Sequence, residues 1–176
     1  MRRSSLLASS LLALAMTSTA QAAGTVTGQL GIQLVVTDGC TVGNGNAGGT
    51  FGTIDFGSVA AITTTLEAQS VGSGGGGSFS VTCNNGTDFS VTLDSGANAA
   101  GTQRNMSNGT DTIAYNLFQD AGRTTPWGDG SNGGDTLTTT GTGTTQELVV
   151  YGQVPPRAEV PSVGTYTDTV QVTVAW

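Results

Sequence analysis

The stretch Thr25-Val26-Thr27-Gly28-Gln29-Leu30-Gly31-Ile32-Gln33-Leu34-Val35-Val36-Thr37 decides how the chain is read. Val26, Gly28, Leu30, Ile32, Leu34 and Val36 fall on one face of an extended chain. Thr25, Thr27, Gln29, Gly31, Gln33 and Thr37 fall on the other, with Val35 the exception. Successive side chains of a strand point to opposite faces, so this alternation predicts a β-strand with one buried face. The start of a processed secreted chain is usually loose. Here it carries an apolar face that needs either its own core or another molecule to cover it.

Upstream, residues 1–22 read as an export signal: Arg2 and Arg3, an apolar run from Leu6 to Met16, then Ala20-Gln21-Ala22 as a small-x-small cleavage pattern. The run is shorter than the roughly 20 residues that span a bilayer, and no later segment approaches that length, so no transmembrane anchor is expected. The arginine pair lacks the fuller twin-arginine context, which favours general secretion. Loss of the signal removes two of the five basic residues and none of the twelve acidic ones, leaving a mature net charge of −9. Without lysine or histidine, and with three arginines, the chain has no basic patch for phosphates, which argues against nucleic acid. Acidity suits solubility and a basic partner.

Downstream, the mature length fits one domain. Glycine, threonine and short alternating apolar runs predict an all-β fold. Asp38-Gly39 marks a turn. Phe51–Gly57 reads as a short strand bounded by glycines, and Thr63–Val71 as a weaker one. Gly74–Gly77 is a flexible loop. Phe79, Val81 and Cys83 alternate with polar residues, as do Phe89, Val91 and Leu93. Asn84-Asn85-Gly86 between these two runs predicts a hairpin. Asn85-Gly86-Thr87 and Asn108-Gly109-Thr110 also match the glycosylation acceptor pattern, but the turn reading is preferred at both. Ile113, Tyr115 and Leu117 form the next strand, and Gly128–Asp135 an acidic glycine-rich loop. Leu148–Tyr151 is a compact strand. Tyr166, Val170, Val172, Val174 and Trp176 line one face of a closing strand that reads as having no further strand beside it. No helix longer than a turn or two is expected, and the strand spacing suggests an immunoglobulin-type sandwich.

Cys40 and Cys83 are the two cysteines, and an exported chain is expected to pair them. Closing a loop of about forty residues contributes on the order of 3–4 kcal/mol. A metal or catalytic thiol is disfavoured because no histidine stands beside either cysteine. Catalysis is disfavoured on the same ground: the chain lacks a histidine base, a lysine amine and any marked carboxylate pair. Asp129, Ser131, Asn132 and Asp135 resemble a calcium loop but lack the fifth-position ligand and closing Glu of the EF-hand. No metal and no cofactor are therefore expected. Tyr115, Phe118 and Trp127 raise a sugar-stacking alternative. Tyr115 sits on the apolar face of its strand and reads as core, whereas Trp127 between Pro126 and Gly128 reads as a candidate for exposure.

Several segments together resemble the spore coat protein U family, which includes subunits of archaic chaperone–usher pili such as the Csu type. They are Gly39-Cys-Thr-Val-Gly43, Phe51-Gly-Thr-Ile-Asp-Phe-Gly57, Phe79-Ser-Val-Thr-Cys83, Ala114-Tyr-Asn-Leu-Phe-Gln-Asp120 with Arg123-Thr124, and Gly164-x-Tyr166-x-Asp168-x-Val170-x-Val172-x-Val174-x-Trp176. They run in the family's order along the mature chain. Val26-Thr-Gly-Gln29 further resembles a major rod subunit. The resemblance implies an incomplete immunoglobulin-like β-sandwich of the pilin type, missing its last strand: a signal at 1–22, a donor-strand extension at 23–38 and the sandwich at 39–176. The donor face would be Val26, Gly28, Leu30, Ile32, Leu34 and Val36, with Gly28 where the groove is tight. The acceptor groove would involve Tyr166, Val170, Val172, Val174 and Trp176. Expected partners are other copies or related subunits, a periplasmic chaperone and an outer-membrane usher, and the product a surface fibre for adhesion and biofilm formation. Three alternatives stand beside this: residues 25–37 pairing within their own domain, a spore or cell-surface coat protein of the same fold, and a carbohydrate-binding module using Trp127.

Overall fold

A computed structural model describes residues 24–43, 50–70 and 79–176. The export signal expected at 1–22 and the loop at Gly74–Gly77 lie outside the described residues. Among the described residues ten strands follow in order: β1 (Cys40–Gly43), β2 (Leu66–Gln69), β3 (Phe79–Cys83), β4 (Asp88–Leu93), β5 (Arg104–Ser107), β6 (Thr112–Phe118), β7 (Leu137–Thr140), β8 (Gln146–Leu148), β9 (Tyr151–Val154) and β10 (Val172–Ala175). They make three antiparallel sheets, β1-β3-β8, β10-β4-β7 and β2-β9-β6-β5. The described residues contain no helix, so the protein is all-β.

Alternation builds the core. Phe79, Val81 and Cys83 of β3 and Phe89, Val91 and Leu93 of β4 are all at most 2% exposed, with their polar neighbours turned outward. Ile113, Tyr115 and Leu117 of β6, Val154 of β9 and Trp127 complete one cluster shared by the sheets. Cys40 and Cys83 face each other in the β1–β3 register and form a disulfide. Gly152 of β9 owes its place to space. A Cβ there would stand 2.8 Å from Phe56 Cζ and 3.1 Å from Ile54 Cγ2, so only glycine lets these side chains lie flat on the strand.

Three expectations need correction. Asn85-Gly86 makes a turn, with the Thr87 amide donating to Asn84 O at 3.1 Å, but not a hairpin. Gly86 takes a positive φ of 88° while Asn85 does not. The I′ turn that keeps hairpin strands together needs both; this one splays them, and β3 and β4 enter different sheets. The hairpin instead forms between β5 and β6 around Asn108-Gly109, where Asn108 Oδ1 accepts from the amides of Thr110 and Asp111 at 2.9 and 2.7 Å. Leu148–Tyr151 is not one strand: the chain crosses between sheets at 149–150, ending β8 and starting β9. Between Phe51 and Gly57 only Thr53 takes part in a β-bridge. Within this chain residues 24–39 form no strand, because alternation supplies a face but no backbone partner.

Candidate strand-binding groove

A groove of about 600 Å³ opens in the body of the protein. Phe51, Ile54 and Phe56 line it from the irregular stretch before β2, and Tyr166, Val170 and Val172 from the C-terminal stretch. Phe79, Leu93, Met106, Tyr115, Leu117 and Val150 lie deeper. The lining is more apolar than polar, with Thr50, Thr53, Ser70, Asp168 and Gln171 among its polar members, and Phe51 packs on Phe79 with ring centroids 4.9 Å apart.

The backbone of the C-terminal stretch explains what the groove can take. Thr167 exchanges two hydrogen bonds with Ser107, at 2.9 and 3.0 Å. Thr169 O accepts from the Ala97 amide at 3.0 Å and Gln171 O from the Asp94 amide at 3.1 Å. In an antiparallel pair such bonds recur at every second residue. The odd-numbered residues therefore bond inward, Thr167 to β5 and Thr169 and Gln171 to the loop that follows β4. Asp168, Val170, Val172 and Val174 direct their N–H and C=O groups the other way. β10 ends its sheet, so among the described residues no strand pairs with that edge. The stretch offers a strand-length row of backbone donors and acceptors beside an apolar groove, a template for one more strand.

The sequence-derived residues fall as follows. Tyr166, Val170 and Val172 line the groove. Val174 packs against the core outside it, and Trp176 is 59% exposed. Val26, Leu30, Ile32, Leu34 and Val36 are all strongly exposed, Ile32 at 90%. Gly28 has open space around it. Trp127 is not exposed: it is 1% accessible, with Nε1 donating to Val91 O at 3.0 Å. Its neighbours Pro126 and Gly128 favour exposure, but the indole packs into the core cluster. That removes the side chain on which the sugar-stacking alternative rested.

Sequence reasoning missed Arg104. It is buried on β5, its guanidinium donating to the carbonyls of Asp94, Trp127 and Leu93 at 2.8, 3.0 and 3.0 Å. Burial pulls its pKa down, while Tyr115, Asp94, Asp129 and Asp168 oppose that shift. Nothing around Gln103-Arg104-Asn105 signals an inward cation. Tyr115 hydroxyl donates to Asp168 Oδ2 at 2.6 Å. Burial first, and then that hydrogen bond, push the phenol well above its usual range, so it remains a donor. In the acidic loop, Asp129 Oδ1 accepts from the Ser131 amide and hydroxyl and from the Asn132 amide, so its carboxylate closes the loop on itself. The Ser131 amide, first among these, holds its pKa below the usual carboxylate value.

A family model described as the Spore Coat Protein U domain matches residues 26–173. Protein U of Myxococcus xanthus is 37% identical over 164 residues, covering 88% of this chain and 87% of that protein. Among solved structures, the fold resembles a chain in a chaperone–tip adhesion subunit pre-assembly complex from archaic chaperone–usher Csu pili of Acinetobacter baumannii. The TM-score is 0.52 at 21% identity, over 80% of this chain and 40% of that one. The chain therefore spans less than half the length of that solved chain.

Proposed function

The chain belongs to the Spore Coat Protein U domain family, and on that premise we propose that it is a structural subunit that assembles into a surface fibre by donor-strand exchange. The single observation that carries this reading is the apolar groove beside the open backbone edge of Asp168, Val170, Val172 and Val174. The occupant is the N-terminal segment of another copy. Val26, Leu30, Ile32, Leu34 and Val36 enter the groove as the strand completes an immunoglobulin-like sandwich. Each buried side chain contributes ~1.5–3 kcal/mol, roughly 8–15 kcal/mol together as an upper bound. Strand addition to a sheet edge of this kind is a recurrent recognition mode. Because the contact runs head to tail, it does not close on itself and yields a filament.

The role is structural rather than enzymatic. The chain is exported, guarded by a periplasmic chaperone that covers the groove, passed to an outer-membrane usher and displayed as a pilus that serves adhesion and biofilm formation. Electron microscopy of cells expressing the full chain with its chaperone and usher tests this. Fibres are expected from the wild type and none from Ile32→Asp, whose carboxylate would enter an apolar groove unpaired. Normal fibres from Ile32→Asp would sink the reading. The match to Protein U favours a second reading, a coat protein of the same fold that needs no usher. Surface deposition that survives loss of the usher separates the two.

A further inference from the structure

The two walls of the groove belong to different sheets. β6 pairs with β9 and β5, whereas the C-terminal stretch pairs with β4, and the Ser107–Thr167 bridge joins them at one end. Walls around an apolar gap tend to relax into it. Against this, Tyr115 hydroxyl reaches from β6 to Asp168 on the opposite wall. Asp168 is itself fixed: its Oδ1 accepts from the Asn98 amide and from Asn98 Nδ2, both at 3.0 Å. Gly96 makes the niche. It takes a positive φ of 82°, and a Cβ there would overlap the Asp168 carboxylate. Asp94 mirrors the arrangement from the loop side, accepting from the amides of Gly96 and Gln171 at 2.9 Å each. The wall is thus clasped by two carboxylates, and one of them continues across the groove to the facing sheet.

We propose that Tyr115 and Asp168 form a strut that holds the two walls at the spacing an incoming strand needs, making both positioning residues for strand capture. The inference rests on the strand-exchange reading above, and its test separates the two.

The full chain carries two added cysteines, Asn116→Cys on β6 and Thr173→Cys on β10, for spin labels; both positions are exposed. Their distance distribution reports wall spacing, while anisotropy of a labelled peptide of residues 24–37 reports capture. In the parent, a narrow distribution and peptide binding are expected. Tyr115→Phe keeps the ring and removes one oxygen. It is expected to broaden the distribution and weaken the peptide about tenfold, the loss of one hydrogen bond to a charged group. Asp168→Ala does the same or more, and Asp168→Asn, which keeps an acceptor, restores most of the affinity. An unchanged distribution in Tyr115→Phe overturns the strut, whatever the peptide does. A parent that holds a narrow distribution yet ignores the peptide overturns strand capture as the strut's purpose and leaves the spacing result standing.

Discussion

Residues 25–37 and 165–176 are written in the same pattern, yet they end in opposite states. Both alternate largely apolar with Thr/Gln positions over about a dozen residues, Asp168 interrupting the apolar face of the second. The C-terminal stretch lies along β4 and its following loop, with Val170, Val172 and Val174 packed against the core. The N-terminal stretch forms no strand and keeps its aliphatic side chains in water. Alternation specifies which face will be buried; a free sheet edge decides where. The C-terminal stretch finds one at β4 and offers another beyond it.

One charge placed in each stretch should have unequal consequences. Val172→Asp is expected to destabilise the body by several kcal/mol, because an unpaired carboxylate would enter the core-facing layer. Ile32→Asp should leave denaturant unfolding of the monomer within about 0.5 kcal/mol of wild type, as for an exposed site. Equal effects would mean that both stretches are packed alike.

Reducing the Cys40–Cys83 disulfide, at a sequence separation of 43, should cost about 3–4 kcal/mol of body stability. Hydrogen exchange of residues 25–37 should not change, since the bond lies beyond that segment.

Gly152→Ala sharpens the groove side. Crowding Phe56 and Ile54 should cost about 1–3 kcal/mol in thermal or denaturant unfolding. Ala68→Gly on the neighbouring edge strand should have a smaller effect.

The smallest effect is pH dependence, and it too should divide the stretches. Residues 25–37 hold no titratable side chain. Asp111, which accepts from the Ser162 amide and from Tyr166 hydroxyl just before the closing stretch, is held below its ordinary value of 3.8, chiefly by the Ser162 amide. Asp120 is lowered by the Thr125 amide first. A depressed carboxylate stabilises the fold above its unfolded pKa, and that stability is lost as pH falls through the folded value. The melting temperature should therefore fall below about pH 4, while exchange in residues 25–37, corrected for intrinsic pH dependence, stays flat.

Much of the body was legible because its signals are local. The buried positions of β3 and β4 follow from period-two alternation, and Tyr115 as core follows from its place between Ile113 and Leu117. The cysteine pair follows from the expectation of export and from there being two cysteines. Other features depend on which strand meets which. The Asn85-Gly86 motif looks like a hairpin turn, but the sign of one φ sends β4 to another sheet. Trp127 between Pro126 and Gly128 reads as exposed, yet its indole donates to Val91 O in the core. The groove was the least legible element. Its lining comes from residues 50–56, β6 and 166–172, the first and last more than a hundred positions apart, so no single neighbourhood announces it. Tyr115 and Asp168 are 53 residues apart, with nothing in either neighbourhood to announce the other.

Under strand exchange the face of residues 26–36 from one copy lies in the groove of another. Two full-length chains, one bearing Ile32→Cys and the other Val170→Cys, test it when mixed under mild oxidation. A covalent pair joining the two different chains is expected, and far less of it when the second chain carries Val163→Cys, an exposed position outside the groove lining. No pair with Val170→Cys, or as much with Val163→Cys, would contradict the account.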